Sequence, residues 1–147
     1  MSLIVVGLNH KTASIDIREK MSVSENNIEN IVNGMCESNS VNGCVVVSTC
    51  NRTEFYISCT DTDSAVSQFC DSFKMQLKEI EQHIYIKHKL SCIEHLYIVS
   101  SGLDSMILGE AQILGQVKSS YEISKTSNNL DKVLDRMFQS AFRVAKS

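Results

Sequence analysis

The sequence predicts an α+β fold: a ferredoxin-like, split β-α-β-β-α-β sheet followed by a C-terminal helical segment. Three observations carry that expectation. Short β-branched apolar runs recur at residues 3–8 and 43–48, with a further strand-like run at 54–59. Apolar stripes of helical period fall between the first two runs and after the third. From residue 91 onward only helical stripes remain.

Residues 3–8 read as the first strand. Ile28, Ile31, Val32 and Met35 stand at i, i+3, i+4 and i+7, which predicts a helix over 25–36, with Ser22-x-x-Glu25 as a capping box at its start. In the second strand, 43–48, the run Val45-Val46-Val47 predicts burial on both faces. The third strand covers 54–59, so the connection before it holds Cys50 and Arg52. Val66, Phe69, Cys70, Phe73 and Leu77 predict a helix over 64–78, with Asp61 and Asp63 favouring its N-terminus through the helix dipole. Residues 83–88 alternate and read as the fourth strand. Such a sheet has helices on one face and leaves the other free. Ser91-x-x-Glu94 is a second capping box, opening a helix that Gly102 ends. Two more helices follow, one marked by Ile113, Leu114, Val117 and Tyr121, the other by Leu130, Val133, Leu134, Met137, Phe138, Ala141 and Ala145. The last stripe runs to the final residues, as if cut within a longer chain. The division expected is 1–90 for the sheet subdomain with the reactive turn and 91–147 for a helical part that completes the site.

Composition narrows the function classes. The chain has 147 residues, 43% of them hydrophobic and 21% charged, as in an ordinary globular protein. A net charge of −3 argues against a self-sufficient nucleic-acid binder. The N-terminus has no basic n-region, and its apolar run is too short for a signal peptide or a membrane span, so the chain is expected in the cytoplasm with no membrane part. The six cysteines form no C-x-x-C pair and match no zinc pattern, and no metal is expected. For each, burial as a small hydrophobe is the plain reading.

The turn carrying Cys50 offers a second one. A strand-to-strand turn exposes side chains on a rigid frame. A thiolate there is a nucleophile, and the guanidinium of Arg52 would either stabilise that anion or clamp a substrate carboxylate. Thr49 and Asn51 add short polar groups for an acyl oxygen. A second polar cluster runs from Ser101 to Val117 and holds three of the six glycines. It reads either as a solvated interhelical loop or as a pocket wall, with Gln112 and Gln116 on one helix face. Of the four histidines, any one placed at the site has a pKa suited to proton transfer.

Taken together, Gly7-Leu8-Asn9-His10-Lys11-Thr12-Ala13, Ser48-Thr49-Cys50-Asn51-Arg52-Thr53-Glu54, His95-Leu96 with Ser101-Gly102-Leu103-Asp104-Ser105-Met106, and Leu108-Gly109-Glu110 through Gly115-Gln116-Val117 resemble the glutamyl-tRNA reductase family, in family order over nearly the whole chain. The resemblance implies an oxidoreductase that converts the glutamyl group of glutamyl-tRNA to glutamate-1-semialdehyde with NADPH, an opening step of tetrapyrrole (haem) synthesis. It implies Cys50 as the nucleophile that forms a glutamyl thioester, and His95 as the acid–base group. Thr49, Asn51, Arg52, Ser105, Glu110, Ala111, Gln112 and Gln116 would be the substrate contacts. Alanine at 111 and serine at 14 stand where the family tends to have proline. No G-x-G-x-x-G follows a strand, so NADPH is expected on a domain absent from this chain, and the chain alone is expected not to perform the reduction. The family further implies a homodimer through a second absent domain, and an aminomutase as a partner taking the aldehyde. Two other readings share the fold: a small-molecule sensor domain, and a self-contained cysteine acyl hydrolase in which water resolves the thioester. Basic residues from Lys118 to Lys146 are either a solvated helix face or a set of phosphate contacts.

Overall fold

A computed structural model of the chain describes residues 1–102 and 112–146. Its elements are β1 (Ser2–Asn9), α1 (Ile15–Lys20), α2 (Glu25–Cys36), β2 (Val41–Ser48), β3 (Arg52–Cys59), α3 (Thr62–Ser72), α4 (Leu77–Ile80), β4 (Tyr85–His88), α5 (Leu90–Ser101), α6 (Ile113–Thr126) and α7 (Lys132–Lys146). The strands form one sheet in the order β2-β3-β1-β4, with every neighbouring pair antiparallel. This is the split β-α-β-β-α-β sheet with its helical continuation that the sequence predicts.

Side-chain alternation divides the sheet between two cores. Ile4, Val6, Leu8, Val46, Phe55 and Ile57 pack against Val32 and Met35 of α2 and Phe69 of α3. Val5, Val45, Val47 and Tyr56 point the other way, against Leu96 of α5, Val117 and Tyr121 of α6, and Phe138 of α7. The face expected to be free is therefore covered. The reason is visible in Val45, Val46 and Val47, each fully buried: a strand apolar at both parities needs a layer on both sides.

Local differences from the expectation have identifiable causes. The helix expected over 64–78 breaks: α3 ends at Ser72, Lys74 takes φ 55°, and the Met75 N–H donates back to the Cys70 carbonyl at 3.1 Å. Phe73 packs against Phe55 and Phe69 there, so the break seats a core ring. At the start of α3, Asp61 caps the Ser64 N–H. Neither expected capping box forms. Ser22 donates to the Glu19 carbonyl while α2 begins after Ser24, and α5 begins at Leu90 after Lys89 at φ 51°. Gly102 does end α5, at φ 78°. The short helix α1, capped by Ser14, has no apolar stripe of its own and was not anticipated.

Candidate active site

The turn at 49–51 is held from three sides. Across its base the Thr49 N–H donates to the Arg52 carbonyl at 2.8 Å, and within it the Asn51 N–H reaches Thr49 Oγ1 at 3.1 Å. The loop after β1 joins it through the His10 N–H and the Asn51 carbonyl, 3.0 Å apart. From α1, Arg18 Nη1 donates to the Cys50 carbonyl at 3.2 Å and to Asn51 Oδ1 at 3.3 Å. The backbone is thus fixed while the Cys50 side chain stays exposed. Of the other cysteines, Cys44, Cys59, Cys70 and Cys92 are buried and Cys36 is half-buried. Burial pushes the Cys36 thiol up to about 11 and the Cys92 thiol up to about 12, so at neutral pH these remain protonated.

Cys50 lines a groove of about 510 Å³ with Thr49, Ser48, Arg18, Glu19 and Glu25. Ser48 and Glu25 also line a neighbouring cleft of about 380 Å³, whose far wall on α6 includes Gln112 and Gln116. The structure therefore brings the two glutamines to the same end of the sheet as the cysteine turn. Ser105, Glu110 and Ala111 lie outside the described residues.

Arg52 and Glu54 stand on the same side of β3 as Tyr56, toward α5–α7, and all three are fully buried. Arg52 Nη1 is 3.5 Å from Glu54 Oε2. Its guanidinium is thus an interior cation already facing a carboxylate, not a flexible surface group. Glu54 collects further donors: Tyr56 Oη at 2.8 Å on Oε1, and both Tyr85 Oη and His95 Nε2 on Oε2. Burial works against its charge, but the hydrogen bond and charge of His95, with Arg52 and Tyr85, outweigh it and hold the carboxyl below its usual value. His95, on α5, keeps 12% of its side chain exposed.

Gly7 makes this cluster sterically feasible. It pairs with Glu54 on one side and Tyr85 on the other, and a Cβ there would lie 2.3 Å from the Thr53 carbonyl oxygen and 2.8 Å from Glu54 Cα. Sequence reasoning missed Glu54, Tyr85 and Arg18 as site residues. A signal for the first existed: charges at 52 and 54, on one parity of an otherwise apolar strand, mark an interior polar face. Arg18 had none, since its helix carries no buried residue. Among the described residues, no group of three His, Cys, Asp or Glu side chains is arranged to hold a metal.

Comparison with known proteins adds to this geometry. A family model described as the N-terminal domain of glutamyl-tRNA(Glu) reductase matches residues 6–147. The glutamyl-tRNA reductase of Shewanella pealeana (strain ATCC 700345 / ANG-SQ1) is 40% identical over 146 residues, which are 99% of this chain and 35% of that protein. A solved structure, the glutamyl-tRNA reductase from Methanopyrus kandleri, superposes with a TM-score of 0.76 at 31% identity, over 98% of this chain and 33% of that one. The chain thus spans about a third of the length of these relatives.

Proposed function

The chain belongs to the glutamyl-tRNA reductase family, whose N-terminal domain it matches, and from that premise we propose that it carries the acyl-transfer half of the family's reaction. The observation that carries the proposal is the exposed Cys50 thiol on a clamped turn, lining a groove that shares Ser48 and Glu25 with a neighbouring cleft. The thiolate sulfur adds to the carbonyl carbon of the glutamyl ester, and the carbon–oxygen bond to the ribose breaks. The ribose oxygen takes up a proton, and a glutamyl thioester remains on Cys50. His95 is the acid–base group in this reading. Thr49, Asn51, Arg52, Gln112 and Gln116, with Ser105, Glu110 and Ala111, hold the glutamyl group. Arg52 has planar donors suited to a carboxylate, and a substrate group would share it with Glu54, which it already faces inside the protein.

The described residues do not fit a nicotinamide cofactor. Gly7 and Gly43 lie within strands, Gly34 and Gly115 within helices, and Gly102 ends a helix, so no glycine-rich strand-to-helix turn cradles a pyrophosphate. No hydride step is therefore placed on this chain. NADPH, the homodimer contact and the hand-over of aldehyde to an aminomutase belong, in this reading, to parts of the protein beyond these residues. The product would feed tetrapyrrole synthesis in the cytoplasm. Among the described residues, no helix is long and apolar enough to cross a membrane.

Intact-mass spectrometry after mixing the chain with glutamyl-tRNA tests the proposal. A glutamyl adduct on Cys50, or slow release of glutamate that Cys50→Ser abolishes, is the expected outcome. Added NADPH should yield no aldehyde. Absence of both the adduct and any Cys50-dependent deacylation would refute the proposal.

A further inference from the structure

We propose that Glu54 is a positioning residue, which fixes His95 as the Nε2–H tautomer and so makes Nδ1 its proton-accepting atom. The inference rests on the acyl-transfer reading for its kinetic consequence only, since the tautomer is a property of the folded chain.

The geometry leaves one arrangement of hydrogens. Glu54 is fully buried against the Arg52 guanidinium and the Tyr56 and Tyr85 hydroxyls, donors that suit a carboxylate whose oxygens only accept. Oε1 takes the Tyr56 hydroxyl, and Oε2 takes the Tyr85 hydroxyl, the Arg52 guanidinium and His95 Nε2. A nitrogen facing an acceptor-only oxygen carries the hydrogen. In a neutral imidazole the lone pair then lies on Nδ1. No hydrogen bond of Nδ1 occurs among the described residues, whereas Nε2 is engaged. A carboxylate behind an imidazole orients the ring and favours the imidazolium formed on proton uptake, the logic by which such carboxylates act in hydrolytic triads. Tyr85 adds orientation: its ring lies 5.4 Å from that of His95 and its hydroxyl shares the same oxygen. Among the described residues, the groups around the pair include Arg52, Tyr56 and Tyr85 from the sheet and Cys92 from α5, a helical turn before His95.

Nitrogen-15 NMR of the histidine-labelled chain at about pH 8, where an ordinary imidazole is neutral, reads the tautomer directly. His95→Asn assigns the signal among the four histidines. The wild-type chain should show protonated Nε2 and an unprotonated Nδ1. Glu54→Gln, whose amide can donate, should lose that preference and slow glutamyl transfer to Cys50 on the order of 100-fold, the scale of general acid–base assistance. Tyr85→Phe leaves the carboxylate in place and should keep the tautomer, and it serves if Glu54→Gln fails to fold. A wild-type Nδ1–H tautomer overturns the proposal, as does a folded Glu54→Gln that transfers at the wild-type rate. Failure of the acyl-transfer reading looks different: glutamyl release would survive Cys50→Ala, and the tautomer would still decide the role of Glu54.

Discussion

Gly7 and Glu54 share one cross-strand position, where the β3 backbone leaves no room for a β-carbon at residue 7. Adding a Cβ at residue 7 drives a carbon to 2.3 Å from a backbone oxygen, which a side-chain rotation cannot relieve. Gly7→Ala should therefore cost about 1–3 kcal/mol, the usual penalty of overpacking, and disturb the Glu54–His95 contact. Urea denaturation measures the cost, and an unchanged midpoint would contradict it. Glu54 also sets an acid limb. Its folded-state pKa lies below the ordinary 4.5, so the folded state holds it ionised where the unfolded chain would bind a proton. That contribution is present above about pH 4.5 and is lost as pH falls through the lower folded value. Stability plotted against pH should fall less steeply below that point in Glu54→Gln than in the wild-type chain. Parallel slopes would show that Glu54 titrates alike in both states.

The elements meet where loops, not regular structure, set the geometry. The α6–α7 connection covers the outer edge of β2: the Cys44 N–H donates to the Asn129 carbonyl at 2.9 Å, and Ser124 Oγ donates to the Cys44 carbonyl at 2.7 Å. That edge is thereby closed to strand pairing with another chain. At the end of α3, Lys74 occupies a left-handed conformation that favours glycine. Lys74→Gly should stabilise the fold by about 1 kcal/mol, since a β-carbon in this region costs about that much. Thermal melting would read this as a raised midpoint, and a lowered one would mean that the lysine stem contributes packing of greater worth.

At the scale of the whole molecule, one sheet serves two cores, so the layers stand or fall together. Phe138 of α7 is fully buried, with its ring 5.4 Å from Tyr56 on the sheet and 5.9 Å from Tyr121 on α6. Phe138→Ala should cost about 3–5 kcal/mol. Because Tyr56 lies on the strand that carries Arg52 and Glu54, a single transition should remain when far-UV and tyrosine signals are followed together. Two separated transitions would mean that α5–α7 unfold independently of the sheet. Under the proposed function the same layering matters: α5 brings His95 to Glu54, and the start of α6 brings Gln112 and Gln116 to a cleft shared with Ser48.

The sequence by itself determined the strand and helix types, the order of the split sheet and the turn that exposes Cys50. Those follow from period, propensity and short-range spacing, which are local. It marked Gly102 as a helix end for the same reason. It misplaced what depends on through-space competition: the break at Lys74, made where Phe73 turns into the core, and the start of α5, which no side-chain box caps. Only the tertiary structure decided that the second face of the sheet is covered, that Arg52 is an interior cation, and that Glu54 joins His95 to Tyr85. Each joins residues 31 or more positions apart or depends on which parity of a strand faces which layer. A buried charge declares its partners only when the chain has closed around it, because desolvation makes those partners obligatory and no local pattern records them.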